Sequence, residues 1–402
     1  MDEGTSGFVK NKLEVHCYKR KLKNLLRRIE DSDIDGRSKK LILEFYSDCL
    51  IRGLSKARIV KYLDTLERIA RFFKKSFDEI TKDDVAEFIR SVEESNYSEW
   101  TKRDYKLILK IFFKWLKNSE DYPEEVSWIK TRVRNSNMFP EGLLTEEEVK
   151  RLVKHAANLR DRALILTLYE SGCRIGELLS LRIRNVQFDD YGAVLIVNGK
   201  TGSRRVRIIE SAPVLASWME NHPLRDDPNA PLWVNLSTRN RYHALTYEGA
   251  KAILKRTAKR AGLKKRIYPH LFRHSRATRL ANVLTEAQLK QLFGWVQDSR
   301  MAATYVHLSG RDVDNALLKL HGMKVDAEGG EEKFTVIVCP RCGNKNSPTS
   351  KFCNACGLCL DLETALKIDE VRAKADRLMS ELIKNPKVLD ALLEGIKKLR
   401  VK

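Results

Sequence analysis

The segment Tyr268-Pro-His-Leu-Phe-Arg-His places a histidine and an arginine three residues apart, at His270 and Arg273. Pro269 suits the first position of a helix, and a spacing of three puts both side chains on one helical face. An imidazole beside a guanidinium can hold a phosphate group and move a proton. The same pair would also make an ordinary basic surface helix, so its meaning depends on the rest of the chain.

Five further residues are candidates for chemistry on a phosphate. Arg174 follows a Gly-Cys turn, where its planar guanidinium fits two phosphate oxygens, and Glu177, one helical turn on, either holds it or forms a plain surface ion pair. Lys200 lies at the tip of a predicted hairpin, where it reaches into a cleft or is an ordinary turn lysine. Trp295 offers an indole N–H or fills the core. Tyr305 lies towards the end of a short predicted helix, where it completes the site or is a half-buried aromatic.

A second cluster predicts a metal site. Cys339-Pro-Arg-Cys342 and Cys353-Asn-Ala-Cys356 repeat a Cys-x2-Cys pair. Four thiolates suit tetrahedral Zn²⁺, and a shell closed by four cysteines leaves no position for a substrate. We therefore expect one structural zinc ion per chain. A redox pair is the alternative, and Cys359 is a spare that could replace Cys356.

The charge balance indicates the partner. The 402 residues contain 75 Lys and Arg against 54 Asp and Glu, a net charge of +21. Such an excess favours a polyanion, and nucleic acid is the first candidate. No apolar run approaches the roughly 18 residues of a membrane span, and the N-terminus lacks the apolar core of a signal peptide. We expect a cytoplasmic protein with no membrane partner and with reduced or metal-bound cysteines.

Changes of composition divide the chain into segments. Four helical patterns precede residue 122, and a proline-containing linker follows them. Thr145-Glu-Glu-Glu148 then begins a second region. This region is helical except for one predicted hairpin, 193–199 with 205–209. The fold class is mainly α with a small β-sheet. The predicted segments are a mobile basic arm at 1–35, a helical DNA-binding domain at 36–122, a linker at 123–141, a catalytic domain at 142–323, a zinc ribbon at 334–361 and a helical tail at 362–402.

The fourth helical pattern, residues 101–116, carries lysines and arginines opposite an apolar stripe. A basic face is usually just solvated, but in a chain of this charge it also predicts contact with a DNA backbone. The linker adds further basic residues. The predicted DNA-contact residues are Lys102, Arg103, Lys106, Lys110, Lys130, Arg132 and Arg134.

The order of the candidate residues resembles that of the tyrosine recombinases, or phage integrases, over residues 36 to 320. The family pattern Arg … Lys … His-x-x-Arg … His/Trp … Tyr is filled by Arg174, Lys200, His270, Arg273, Trp295 and Tyr305. Trp295 replaces the more frequent histidine, and its separation from Tyr305 is about a residue longer than usual. The resemblance implies an N-terminal SAM-like core-binding domain, and the ribbon is similar to that of some archaeal integrase-like proteins.

The resemblance also implies a mechanism. Tyr305 would attack a phosphodiester and form a 3′-phosphotyrosine, with Arg174 and Arg273 on the phosphate oxygens, His270 helping to take the proton and Lys200 protonating the leaving hydroxyl. It needs neither a catalytic metal nor ATP. The partner would be double-stranded DNA, bound by a tetramer at two sites, with a monomer in solution compatible. The alternatives are relaxation of DNA in the manner of a type IB topoisomerase, and a non-catalytic DNA-binding regulator.

Overall fold

The structure is a computed structural model, and it describes residues 13, 15–133, 142–199, 201–308, 336–346, 350–384 and 388. The chain divides into two compact units, one within Glu14–Gly142 and the other from Leu143 onward. Both are predominantly helical, which confirms the predicted fold class. None of the described helices is long and apolar enough to cross a membrane.

The first unit is built from helices around one apolar core. Its sequence signals are local: Ser55 and Ser98 cap helix starts, and Thr81 and Asp84 form the predicted capping box. Aromatic packing closes the centre, where the rings of Phe77 and Phe112 lie 4.6 Å apart. The helices are α1 (Tyr18–Glu30), α2 (Gly36–Ile51), α3 (Lys56–Phe73), α4 (Lys82–Glu94), α5 (Glu99–Leu116) and α6 (Glu124–Ser127).

The core of this unit extends beyond both of its predicted boundaries. The basic segment expected to be a mobile arm contains α1, whose Leu22, Leu25 and Ile29 belong to the core. The start of the expected linker also packs on the unit, since Val126 and Ile129 are buried. In both cases a few apolar residues at helical spacing pack into the core although the segment is highly charged. Burying these side chains lowers the free energy by more than hydrating the whole segment would.

The second unit surrounds a three-stranded antiparallel sheet in the order β1-β2-β3. The predicted hairpin is β2 and β3, in register from Ala193 opposite Ile208 to Gly199 opposite Gly202, and β1 adds a strand that the sequence did not predict. The elements are α7 (Glu146–Lys154), α8 (Leu159–Ser171), α9 (Ile175–Leu179), β1 (Val186–Asp189), β2 (Gly192–Gly199), β3 (Gly202–Ile208), α10 (Ala212–Glu220), α11 (Tyr247–Arg260), α12 (Pro269–Ala281), α13 (Glu286–Phe293) and α14 (Met301–Leu308).

Local signals again fix the ends of these helices. Thr145 and Glu148 form the predicted capping box of α7, and Pro269 occupies the first position of α12. Helices α8 and α13 end at Gly172 and Gly294, both left-handed, with φ of 57° and 60°. The helix predicted at 312–320 lies outside the described residues.

The C-terminal part of this unit begins with the short strands β4 (Ile337–Val338) and β5 (Lys345–Asn346) and continues into α15 (Leu362–Ile383). The strand segment lies on the rest of the unit through two polar contacts. Lys345 donates to the main-chain oxygen of Asp190 at 2.5 Å, and the side-chain amide of Asn354 donates to Ser217 at 3.3 Å.

Candidate active site and cysteine cluster

Arg273 joins the C-terminal ends of two helices. Its guanidinium donates to the main-chain oxygen of Gly172 at the end of α8, at 2.9 Å. It also donates to the main-chain oxygen of Phe293 at the end of α13, at 2.7 Å. Helix C-termini carry partial negative charge and unpaired carbonyls, so a cation there is stabilised. These bonds fix the direction of a side chain that is only 4% exposed and leave other N–H groups of its fork for a ligand.

Arg174 is held by a shared carboxylate. Glu177 accepts from the Arg174 guanidinium at 2.8 Å and from its main-chain N–H at 3.0 Å. The second oxygen of Glu177 also accepts from Arg204, at 2.7 Å. Burial alone would raise the pKa of Glu177, but Arg204 and Arg174 outweigh it and hold that pKa below its usual value. A buried, ionised carboxylate therefore positions two arginines.

Arg204 extends this bracing to the end of α13. It donates to the main-chain oxygen of Leu292 at 2.9 Å. A Cβ atom at Gly294 would lie 2.9 Å from its guanidinium, so the glycine allows the close approach as well as the left-handed turn. Because alternate residues of a strand share a face, Arg204 lies on the same side of β3 as the buried Val206 and Ile208.

Tyr305 lies in the interior of the pocket and is 1% exposed. Its ring stacks on Trp295, with centroids 5.5 Å apart and planes inclined by 4°. Its hydroxyl forms a hydrogen bond with Nδ1 of His274. Trp295 in turn lies 5.5 Å from the guanidinium carbon of Arg273, so the aromatic pair is joined directly to the arginine.

The titration behaviour of these groups follows from burial and neighbouring cations. Burial raises the pKa of Tyr305 to about 12, against the opposing charge of Arg273. Loss of solvation lowers the pKa of His274 to about 4, helped by His270 and Arg273. The pKa of His270 falls for the same reason and through the charges of Arg273 and Arg174. At neutral pH the pocket therefore holds a neutral phenol and two neutral imidazoles beside fixed cations.

The structure thus brings together five of the six candidate catalytic residues: Arg174, His270, Arg273, Trp295 and Tyr305. Lys200 lies outside the described residues, but both of its neighbours approach this pocket. Thr201 donates to the main-chain oxygen of Gly294 at 3.3 Å. A Cβ atom at Gly199 would lie 2.6 Å from Glu177.

Sequence reasoning missed two residues of the pocket. His274 is four residues after His270, a spacing that also places two side chains on neighbouring parts of a helix, and their rings lie 5.5 Å apart. The alternation of β3 could have indicated Arg204, because it lies an even number of residues from the buried Val206 and Ile208 and therefore on their face of the strand. Nothing in the sequence pairs Arg204 with Glu177, because 27 residues separate them.

The predicted DNA-contact residues of α5 are placed differently. Lys110 is buried and donates to the main-chain oxygens of Ser127 and Ile129, each at 3.1 Å, so its predicted exposure is wrong. Lys102 pairs with Glu99 at 3.2 Å, and Lys106 pairs with Glu93. The remaining predicted contacts are Arg103, which lies over the ring of Trp100, the exposed Lys130 and Arg132, and Arg134, which lies outside the described residues.

The four predicted cysteine ligands converge. The Sγ atoms of Cys339, Cys342, Cys353 and Cys356 all lie within 4.8 Å of one another, and two of the pairs are 3.6 Å apart. Thiolates bound tetrahedrally at the Zn–S distance of about 2.3 Å would be roughly 3.8 Å apart, so this set fits a zinc ion. Cys359 does not belong to the cluster, and its thiol donates to the main-chain oxygen of Asp361 at 3.3 Å.

Three family profiles match the chain in succession. The profile of the phage integrase N-terminal SAM-like domain matches residues 41–121, that of the phage integrase family matches residues 143–311, and that of a zinc-ribbon domain matches residues 338–358. The third match, together with the cysteine geometry, supports zinc binding by the cluster.

Known proteins are similar to large parts of this chain. The tyrosine recombinase XerA of Pyrococcus horikoshii is 30% identical over 243 residues, which cover 60% of this chain and 79% of the relative. The XerH recombinase in its post-cleavage complex with a palindromic difH substrate is similar in fold, with a TM-score of 0.55, 20% identity and coverage of 77% of this chain and 91% of that one.

A lambda integrase tetramer bound to a Holliday junction is also similar in fold, with a TM-score of 0.51 and 18% identity. The match covers 70% of this chain and 80% of that one. The domain order, the XerA relative and the pocket around Tyr305 lead to one conclusion: this chain belongs to the tyrosine recombinase, or phage integrase, family.

Proposed function

We propose that this chain is a site-specific DNA recombinase that breaks and rejoins strands through a covalent bond between Tyr305 and a DNA 3′-phosphate. The observation that carries the proposal is the pocket itself. Two braced arginines, Arg174 and Arg273, surround a stacked and hydrogen-bonded tyrosine. This arrangement combines a phosphate-binding surface with a nucleophile.

Arg174 and Arg273 would bind the non-bridging oxygens of the scissile phosphate. The pentacoordinate transition state carries more negative charge on these oxygens than the ground state does, so fixed cations lower the barrier. Glu177 and the helix-end carbonyls hold the two guanidinium groups before DNA arrives. Little reorganisation then remains for the chemical step. Because the chain's own cations supply this stabilisation, we propose that cleavage requires no catalytic metal.

Tyr305 would act as the nucleophile. In the free protein the phenol is neutral, since its pKa is raised to about 12. Attack therefore requires the hydroxyl to reach the phosphate and to lose its proton. His270 is suited to accept that proton, because its lowered pKa keeps the imidazole neutral at pH 7.

The covalent step is balanced by a second proton transfer. The oxygen of Tyr305 forms a bond to phosphorus while the bond to the 5′-oxygen of the next nucleotide breaks. Lys200 would give its proton to that oxygen as general acid, a role supported by the approach of Gly199 and Thr201 to the pocket. Attack by a 5′-hydroxyl of another strand then releases the tyrosine. The phosphotyrosine conserves the energy of the broken bond, so no ATP is needed.

Duplex DNA is the partner that the family and its DNA-bound structural relatives support. We propose that this chain assembles as a tetramer around two DNA sites, as in the lambda integrase structure on a Holliday junction. The helical unit and the catalytic unit would both contact the backbone, so affinity would fall steeply with salt. One structural zinc ion per chain would be held by the four cysteines.

A duplex with a nick beside the cleaved phosphate tests the proposal. Loss of the short downstream fragment prevents religation, so the covalent adduct should accumulate with the native chain and be absent with Tyr305→Phe. Tyr268→Phe is the matched control, because Tyr268 is a nearby tyrosine at the start of α12. An adduct that persists in Tyr305→Phe contradicts the proposed nucleophile. Exchange of flanking DNA between two such sites distinguishes recombination from simple relaxation.

A further inference from the structure

Helix α15 carries an apolar stripe that faces solvent. Ile368, Val371, Ala375, Leu378 and Leu382 follow one another at spacings of three, four, three and four residues, and all five are exposed. Val371 is 67% exposed and Leu378 is 61% exposed. Large apolar side chains on one helical line are unfavourable in water, because hydrating apolar surface costs free energy that burial recovers. The stripe therefore indicates a surface that another helix covers.

The spacing identifies what kind of surface covers it. Alternating steps of three and four residues give a period of 3.5, the a/d pattern of a two-helix coiled coil. At about 1.5 Å per residue, the 22 residues of α15 form a rod roughly 33 Å long. The stripe runs along most of it, so a second helix of similar length fits it better than a compact surface does.

We propose that α15 pairs antiparallel with α15 of a second copy of this chain. With Ile368 as position a, the flanking g positions are Lys367, Lys374 and Glu381, and the flanking e positions are Arg372 and Met379. A parallel pair would bring Lys367 of one copy beside Arg372 of the other, two like charges. An antiparallel pair sets g against g, which places Lys374 of each copy beside Glu381 of the other.

The same antiparallel alignment fills the seam. It sets Val371 of one helix opposite Leu382 of the other, and Ala375 opposite Leu378, so small and large side chains alternate along the contact. The two Lys374–Glu381 contacts and the apolar layers between Val371 and Leu382 repeat around one twofold axis, and Ile368 lies beyond the end of this overlap. This is the isologous contact that most homodimers use.

The pairing goes beyond the proposed recombination chemistry. The contact is made by an element that follows the cysteine cluster and contains none of the proposed catalytic residues, so it needs neither DNA nor an intact active site. Two linked copies raise the effective concentration of the second catalytic unit once the first has bound DNA. The C-terminal helix would therefore supply recombinase subunits in pairs.

Molecular mass of the full-length, zinc-loaded protein across about a hundredfold dilution tests the pairing. We expect the native chain to shift with concentration from 46.4 kDa towards twice that mass. Val371→Lys should remain at 46.4 kDa at every concentration, because it buries a charge in the seam. Adduct formation on a nicked duplex should be unchanged in this variant, which shows that the rest of the chain is folded. Arg377→Glu, at an outward position of the same helix, is the matched control and should dimerise normally.

Charge reversal tests the orientation. Lys374→Glu and Glu381→Lys should each weaken the dimer about tenfold, since two attractive contacts become repulsive. An equimolar mixture of the two variants should regain native affinity, because every contact in the mixed dimer is again between opposite charges. The double variant should also regain it.

Three outcomes would overturn the proposal. A native chain that stays monomeric throughout the dilution series shows that α15 has no second copy as partner. If Val371→Lys then lowers the melting temperature of that monomer, the stripe is covered within its own chain. A dimer that Val371→Lys leaves intact is formed elsewhere. If the mixture of Lys374→Glu and Glu381→Lys does not regain the native dimer affinity, the antiparallel orientation is contradicted.

Discussion

The pocket around Tyr305 and the outer side of α5 both concentrate basic residues, but the basic side chains of the two regions are arranged differently. Arg174 and Arg273 are fixed by main-chain carbonyls and one shared carboxylate, which orient them without using all their donors. On α5, Lys102 and Lys106 are paired with glutamates, and Lys110 is buried against main-chain oxygens. The partners are of the same kinds in both regions, carboxylates and main-chain oxygens. What distinguishes the proposed phosphate site is that two oriented guanidinium groups lie in one pocket with Tyr305 and keep donors free. The number of cations does not distinguish it.

Replacement of an oriented pocket arginine should have the largest effect. Arg273→Lys keeps a positive charge but loses the planar fork that reaches the ends of both α8 and α13. We expect the rate of adduct formation on a nicked duplex to fall by about 10³-fold, as when one preorganised transition-state donor is removed. Arg256→Lys, on the exposed side of α11, is the matched control. An unchanged rate in Arg273→Lys would show that geometry is unimportant in this pocket.

Removal of the shared carboxylate tests the bracing itself. Glu177→Gln keeps the shape of the side chain but leaves Arg174 and Arg204 without their common negative charge. We expect a loss of roughly 2 kcal/mol in the free energy of unfolding, typical of buried hydrogen bonds between charged groups. Adduct formation should slow as well. Chemical denaturation and single-turnover kinetics measure the two effects, and a stable variant with native kinetics would mean that Arg174 needs no brace.

His274 provides a subtler test, because it contacts the proposed nucleophile without being in the recognised family pattern. His274→Ala removes the hydrogen-bond partner of the Tyr305 hydroxyl, and we expect adduct formation to slow about tenfold with DNA affinity unchanged. His274→Asn places an amide oxygen near the position of Nδ1 and should restore most of the rate. If alanine and asparagine behave alike, the hydrogen bond does not position Tyr305.

The same histidine predicts a pH effect on stability. Its pKa is about 4 in the folded chain and near 6.5 when unfolded, so between these values the unfolded state binds the extra proton. Its contribution to stability is therefore complete above pH 6.5 and declines as the pH falls towards 4. The melting temperature of the native chain should drop more over this interval than that of His274→Asn. Equal drops would contradict the assignment.

The smallest effects should come from α5. Two substitutions there distinguish a basic side chain that can reach a DNA phosphate from one that is buried and hydrogen-bonded. Arg103→Gln should lower the slope of log affinity against log salt by about 0.9 if that guanidinium contacts one DNA phosphate. Lys110→Met should leave the slope unchanged and lower the melting temperature, because Lys110 donates to Ser127 and Ile129 inside the unit. A reduced slope in Lys110→Met would reverse this distinction.

Features that depend on local chemistry could be predicted from the amino-acid sequence. Capping residues at Thr81 and Thr145 located helix starts, and the two Cys-x2-Cys pairs predicted the metal cluster, because both signals act over a few neighbouring residues. The family pattern gave the candidate catalytic residues in order, since family resemblance preserves residue types and their sequence.

The partners of the charged side chains could not be predicted and became known from the folded chain. Glu177 meets Arg204 across 27 residues and Arg273 reaches Gly172 across 101, and no local periodicity encodes contacts over such separations. Lys110 looked exposed because its sequence neighbours are basic, yet a segment about 17 residues later covers it. Burial depends on what packs against a helix from elsewhere in the chain, so the braced pocket and the occupied cations of α5 could be distinguished only once the chain was folded.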